Sequence, residues 1–94
     1  MVEDIIGCKW SLGVLDLVRQ GVARPGAMQK KIAGLSTKVL NERLQKLRRF
    51  GIIQRTVFAE IPPRVEYRLT TFGRRFDRVL RQVQLLQRDL ELDR

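Results

Sequence analysis

The chain has 94 residues, of which 44% are hydrophobic, and this length suits one domain with a single core. Nineteen Lys and Arg against ten Asp and Glu give a net charge of +9, which indicates an anionic partner such as nucleic acid or an acidic membrane face. There is no His and only one Cys, so neither a Cys/His zinc site nor an imidazole-based triad can be assembled within one chain. We therefore expect no enzyme, no metal and no cofactor.

The sequence contains no charged leader followed by an apolar run, and no stretch of about 18 apolar residues that could span a bilayer. A single Cys cannot form an intrachain disulfide. These features predict a cytoplasmic protein without a membrane partner.

The positive charge is concentrated in the middle of the chain. Residues 29–55 carry eight basic side chains against the single acid Glu42, a net charge of +7. An ordinary solvated helix face usually interleaves both signs, so this segment favours contact with phosphates.

The first helical pattern runs from Trp10 to Val18 and is apolar on so much of its surface that we expect a central, buried helix. Trp10 could stack on a ligand, but an indole at the start of such a helix is more often part of the core. The next helix is expected to begin at Pro25, with Ala27, Met28, Ile32 and Ala33 inward, and to end at Gly34.

Ser36 is a favoured N-cap for a third helix, whose inner face is marked by Leu40, Leu44 and Leu47. Its opposite face carries polar side chains that can hydrogen-bond. Two helices joined by a tight turn, with the second polar on its outer side, predict a helix-turn-helix over residues 25–50.

After Gly51 the pattern changes to the period of two that is typical of strands, and residues 52–69 are predicted to form a two-stranded hairpin, or wing. Pro62 and Pro63 cannot donate ladder hydrogen bonds, so they belong in its connecting loop. Arg64 then lies beside a rigid loop that could reach phosphates or the minor groove.

A last helix is predicted over residues 71–92, with Thr70 as its cap. This helix is longer than a small domain needs for cover, so its apolar face favours a dimer interface over packing entirely within the chain. The residues assigned to that interface are Phe76, Val79, Leu80, Val83, Leu86 and Leu90. The predicted fold class is thus mainly α with a small two-stranded β-wing: a single winged helix-turn-helix domain over residues 1–94 with a long dimerisation helix.

Several stretches closely resemble the HxlR-type winged helix-turn-helix transcription regulators. The most specific are Pro-Pro-Arg-Val-Glu-Tyr at residues 62–67, followed by Leu-Thr and Gly, and the early Gly-Cys-Lys-Trp at residues 7–10. The resemblance extends over nearly the whole chain. It implies a prokaryotic, homodimeric regulator that binds double-stranded DNA at a pseudo-palindromic operator, with one recognition helix in each half-site.

Carried onto this chain, the resemblance and the pattern of helix faces select the same base-contacting candidates, which are Ser36, Thr37, Lys38, Asn41 and Gln45. The candidates for contact with phosphate or the minor groove are Lys30, Lys31, Lys46, Arg48, Arg49 and Arg64. The sequence identifies no small-molecule effector.

Three alternatives stay open. Glu42 on the reading face could instead mark a docking surface for protein, although the basic middle segment argues against it. RNA binding is disfavoured by the scarcity of exposed aromatic side chains for base stacking. Cys8, next to Lys9, could serve as a redox switch, but a small buried side chain beside the central helix is the interpretation we favour.

Overall fold

The structure, a computed structural model, describes Ile5 and residues 10–92. Residues 11–92 form four helices and one antiparallel two-stranded sheet. In chain order the elements are α1 (Ser11–Arg19), α2 (Pro25–Lys31), α3 (Thr37–Arg49), β1 (Ile53–Phe58), β2 (Arg64–Leu69) and α4 (Thr71–Leu92). The predicted fold class, mainly α with a two-stranded wing and a long last helix, is confirmed.

Helix α1 is the centre of the core, as its apolar sequence predicts. Val14, Leu15 and Val18 are each less than 5% exposed, and Leu17 faces inward with them. Trp10 is half-buried and packs against the same cluster, in agreement with its assignment to the core. The core therefore surrounds α1 and supports the helices that follow it.

Helices α2 and α3 form the predicted helix-turn-helix. Pro25 occupies the first turn of α2, and Gly34 adopts a φ of 82° in the turn that follows. The expectation that Ala27 and Ala33 face inward was wrong, since both are exposed. Helix α2 ends at Lys31, so Ala33 lies beyond it, and Met28 is the residue of α2 that is buried.

The wing is a regular antiparallel ladder in which Ile53 pairs with Leu69 and Phe58 pairs with Arg64. Its base is anchored by the buried side chains of Ile53 and Tyr67. The Tyr67 N–H also donates to the Ala23 carbonyl at 2.8 Å, which ties β2 to the segment ahead of α2. The wing is thus fixed relative to the helix-turn-helix at its base.

The start of α4 is joined to the end of α3 through Thr70. Its hydroxyl oxygen accepts from the Gly73 N–H at 2.8 Å, which confirms the predicted cap. The same hydroxyl donates to the Gly51 carbonyl, and the Thr70 N–H donates to the Ile52 carbonyl at 3.0 Å. This junction requires Gly73, because a Cβ atom there would lie 1.9 Å from the Ile52 carbonyl oxygen.

We expect Gly73→Ala to destabilise the fold by about 2 kcal/mol or more, because the added methyl meets backbone rather than a movable side chain. Gly26→Ala is the matched control, since Gly26 lies in α2 and a Cβ atom added to it would have no neighbour within 4 Å. That variant should be neutral or slightly stabilising. Urea unfolding of the three proteins measures both effects. Equal stabilities for the two variants would contradict the proposed close approach.

Helices α1 and α4 meet around the buried carboxylate of Asp77, which is 6% exposed. Its Oδ2 lies 3.7 Å from Arg19 Nε and 3.5 Å from Arg81 Nε. Burial raises the pKa of Asp77 above its ordinary value, and the two guanidinium groups only partly oppose this effect. The ionised form of Asp77 is therefore less favourable in the native state than in the unfolded chain, because its charge is partly desolvated.

Because the pKa of Asp77 is raised in the folded state, the native protein binds that proton more readily than the unfolded chain does. The cost of the buried charge is present above the raised pKa and is relieved as the pH falls through it. We therefore expect the free energy of unfolding of the wild type, relative to Asp77→Asn, to rise between neutral pH and about pH 4. Urea unfolding of both proteins across this pH range tests the expectation. If the free energy of unfolding of the wild type instead falls relative to that of Asp77→Asn as the pH is lowered, the attraction of Arg19 and Arg81 outweighs the effect of burial on Asp77.

The second half of α4 extends away from the core, and residues 81–92 are all exposed. Val79, Val83, Leu86 and Leu90 are spaced by four, three and four residues. They form an apolar stripe in which each residue is 44–68% exposed.

Leu80 does not belong to this stripe, and its assignment to a dimer interface is corrected: it is 5% exposed and lies in the intrachain core. The reason is the helical turn, which points Leu80 about 100° away from Val79. Phe76 is half-buried and packs partly on the same core.

Candidate nucleic-acid interface

The outer face of α3 is determined by the leucine stripe on its inner face. Leu40, Leu44 and Leu47 are at most 1% exposed, and burying each such side chain contributes about 1.5–3 kcal/mol. Rotating α3 about its axis would expose these leucines. The opposite side of the helix is therefore held toward solvent, as the sequence pattern predicts.

Three of the predicted base-contacting residues share that exposed face. Lys38, Asn41 and Gln45 follow one another at spacings of three and four residues, so they form one row along α3. Together they present an ammonium and two side-chain amides, which can donate to and accept from the edges of base pairs. Glu42 is also exposed, beside this row.

The hydroxyl oxygens at the start of α3 already have partners. The Ser36 side chain accepts from the Val39 N–H at 3.1 Å, as expected for an N-cap. The Thr37 side chain accepts from Gln29 Nε2 at 2.9 Å, a hydrogen bond that joins α2 to α3. Each hydroxyl can still donate its own proton, and a donor at this position suits a phosphate oxygen. Direct contact of these two side chains with bases stays a prediction.

The predicted phosphate contacts differ in their surroundings. Lys30 and Lys31 are exposed in the last turn of α2, and Arg48 and Arg49 are exposed in the last turn of α3. Lys46 is half-buried and has a partner within the chain. The two exposed pairs are thus the better placed of these cations for contact with a duplex.

A shallow hollow lies between the end of α3 and the start of the wing. Arg48 and Arg49 line it from α3, and Arg55 lines it from β1. The sequence places Arg55 in the basic segment but does not assign it to the site. The hairpin brings it there because β1 begins four residues after α3 ends.

Arg64 is the first residue of β2, and its guanidinium lies over the Phe58 ring at 4.0 Å from the centroid. It pairs with Glu60 at 3.3 Å and with Glu66 at 3.4 Å, and its side chain is 29% exposed. Arg64 is thus held against the hairpin rather than extended beyond its tip. Its contact with phosphate or the minor groove stays a prediction.

Arg24 and Arg68, which both lie beside Glu66, were not selected from the sequence. The period of two in a strand places alternate residues on one face, so Arg64, Glu66 and Arg68 could have been grouped from the sequence. Nothing in the local pattern links Arg24 to them, because the contact depends on how β2 packs beside the start of α2.

Cys8, the candidate redox residue, lies outside the described residues. Within the described part of the chain, no group of three or more His, Cys, Asp and Glu side chains could hold a metal ion. None of the helices described is long and apolar enough to cross a membrane.

The family of the chain is shown by its sequence. A family model described as HxlR-like helix-turn-helix matches residues 5–91. An uncharacterized HTH-type transcriptional regulator of Synechocystis is 47% identical over 79 residues, which cover 84% of this chain and 58% of that protein. The HTH-type transcriptional regulator YdeP of Bacillus subtilis is 38% identical over 77 residues, covering 82% and 60%. The chain spans about three fifths of the length of these curated relatives.

Solved structures agree with this assignment. A transcriptional regulator assigned to the MarR family, from Enterococcus faecalis, superposes with a TM-score of 0.87 at 30% identity, over 97% of this chain and 83% of that one. The reduced form of the transcriptional regulator YodB from Bacillus subtilis gives a TM-score of 0.78 at 28% identity, over 89% and 82%. The resemblance seen in the sequence motifs is confirmed, and the chain belongs to the HxlR-like helix-turn-helix family.

Proposed function

We propose that this chain is the DNA-binding unit of a transcriptional regulator, and that it recognises a specific double-stranded sequence as a homodimer. The observation that carries the proposal is the exposed polar row of α3, which the buried leucines hold toward solvent. The major groove of B-DNA is about 12 Å wide and admits one helix in this manner. Such a regulator works in the cytoplasm of a prokaryote, where the chromosome lies.

Affinity and choice of sequence come from different side chains. The exposed cations at the ends of α2 and α3 neutralise phosphates and release counterions, which favours binding to any duplex. Lys38, Asn41 and Gln45 then distinguish one sequence from another through the edges of base pairs. Asn and Gln pair well with adenine and Lys with guanine, so this row can discriminate both kinds of base pair.

The proposed homodimer uses the apolar stripe of α4. Val79, Val83, Leu86 and Leu90 repeat with the spacing of a helix-helix seam, and each keeps 44–68% of its surface exposed. A second copy would cover the stripe and bring two recognition helices to one side of the duplex. Half-sites about 34–36 Å apart would then be bound together.

A docking module for protein is the rival function. It predicts negligible binding to duplex DNA, whereas a DNA reader binds a random-sequence duplex with an affinity that falls steeply as salt rises. Fluorescence anisotropy at two salt concentrations separates the two. In vitro selection of bound duplexes then reports the preferred motif and whether it has two-fold symmetry.

On the selected duplex, we expect Gln45→Ala to lose about 1–3 kcal/mol of discrimination between the preferred base pair and its alternatives, because a bidentate contact is lost. Its affinity for a random duplex should be nearly unchanged. Gln82→Ala removes the same side chain from an exposed position on α4 and serves as the control. Equal losses on selected and random duplexes would contradict the assignment of Gln45 to base reading.

For the dimer, we expect Leu86→Glu to convert the protein to a monomer in sedimentation velocity, because a charge cannot be buried unpaired in an apolar seam. Leu85→Glu is the matched control, since Leu85 is 49% exposed and lies about 100° around the helix from Leu86. That variant should remain dimeric. Dissociation of both variants, or of neither, would rule out the proposed stripe as the interface.

A further inference from the structure

The wing carries one acidic side chain with several basic neighbours. Among the described residues, the Glu66 carboxylate lies 3.0 Å from Arg68 Nη2, 3.4 Å from Arg64 Nε and 3.9 Å from Arg24 Nε. The Glu66 side chain is only 14% exposed. Of these side chains, Arg64 alone is among the phosphate contacts predicted from the sequence.

The three arginines reach Glu66 from two parts of the chain. Arg64 and Arg68 flank Glu66 on the same face of β2. Arg24 comes from the segment before α2, which the hydrogen bond from Tyr67 N–H to the Ala23 carbonyl holds beside β2. The ion pair between Glu66 and Arg24 therefore joins the wing to the start of the helix-turn-helix.

The cluster has more positive charge and more donors than its own carboxylates can satisfy. Three guanidinium groups face Glu66 and Glu60, which leaves one net positive charge at the cluster. Each guanidinium has about five N–H donors, whereas a carboxylate offers about four acceptor sites. Arg24 and Arg68 also keep more than half of their side-chain surface exposed. An additional anion with several acceptor oxygens, such as a phosphodiester, fits these unused donors.

We propose that Glu66 is a positioning residue for DNA binding: it gathers Arg24 and Arg68 beside Arg64, the wing arginine already predicted to contact phosphate, so that the three guanidinium groups meet the sugar-phosphate backbone together. The inference rests on the proposed DNA-binding function. Without Glu66 the three cations repel one another and spread over the surface, so they no longer meet one stretch of the sugar-phosphate backbone together.

Glu60 has a different role in this arrangement. Its side chain is 50% exposed, and among the described residues it pairs with Arg64 at 3.3 Å. A phosphate oxygen can take its place on Arg64, because the pair is at the surface and worth little in free energy. Glu66, nearly buried and shared, stays in place when DNA binds.

The two glutamates provide a matched test, since Glu66→Gln and Glu60→Gln each remove one negative charge from the wing. Simple electrostatics predicts that both variants bind a random-sequence duplex more tightly than the wild type. We expect Glu60→Gln to bind equally or more tightly, and Glu66→Gln to bind about three- to tenfold more weakly despite its extra positive charge. The slope of log affinity against log salt concentration should also be shallower for Glu66→Gln, by an amount that corresponds to the loss of about one phosphate contact or more. Thermal unfolding of both variants tests whether they are folded.

A double-mutant cycle shows whether Glu66 acts through the arginines. In a background that carries Arg24→Ala, Arg64→Ala and Arg68→Ala, adding Glu66→Gln should change duplex affinity by less than twofold, because all three groups that it positions are gone. If Glu66→Gln does not fold, the variants Arg24→Gln and Arg68→Gln test the same site, because each changes a side chain that is more than half exposed. Each should lower the salt slope by about one, and Arg88→Gln at an exposed position of α4 should not.

The outcomes separate the two proposals. If the wild type fails to bind any duplex, the proposed function and this inference are both overturned. If the wild type binds with a steep salt dependence but Glu66→Gln binds as tightly as Glu60→Gln, the inference alone is overturned. Unchanged salt slopes for Arg24→Gln and Arg68→Gln would overturn it as well.

Discussion

The packing of the α3 leucines against the core is the interaction on which the rest of the molecule depends. Leu40, Leu44 and Leu47 are almost completely buried, so α3 has one orientation about its axis. Ser36 fixes where the helix begins, and Gly51, at a φ of 75°, allows the chain to leave it. Because the rotation of α3 about its axis and both of its ends are fixed, the polar row of α3 occupies a defined place on the surface.

Specific hydrogen bonds, in addition to core packing, attach the wing and α4 to this helix-turn-helix. Thr70 links the end of α3 to the start of α4, and the hydrogen bond between Tyr67 and Ala23 links the wing to the segment before α2. A change at either junction therefore alters the position of a whole element relative to α3. The close approach of Gly73 to the Ile52 carbonyl belongs to the first of these junctions.

Much of the fold could be predicted from the sequence because its signals are local. The cap at Ser36, the period of α3 and the prolines in the wing loop each determine structure within a few residues. What could not be predicted depends on packing between distant segments. Leu80 fits the apolar pattern of α4 as well as Val79 does, and only its contact with the core distinguishes them. The meeting of Arg24 with Glu66 and the engagement of Thr37 by Gln29 likewise require the folded chain.

The central claim is that the polar face of α3 contacts DNA, and it is tested most directly by a two-dimensional ¹⁵N NMR titration with a duplex obtained by selection. We expect the side-chain amide signals of Asn41 and Gln45 to shift or broaden, together with backbone signals of α3 and the wing. Signals from residues 84–92 of α4 should not respond to the duplex directly. Perturbations confined to α4, with the α3 amides unchanged at saturating DNA, would contradict the claim.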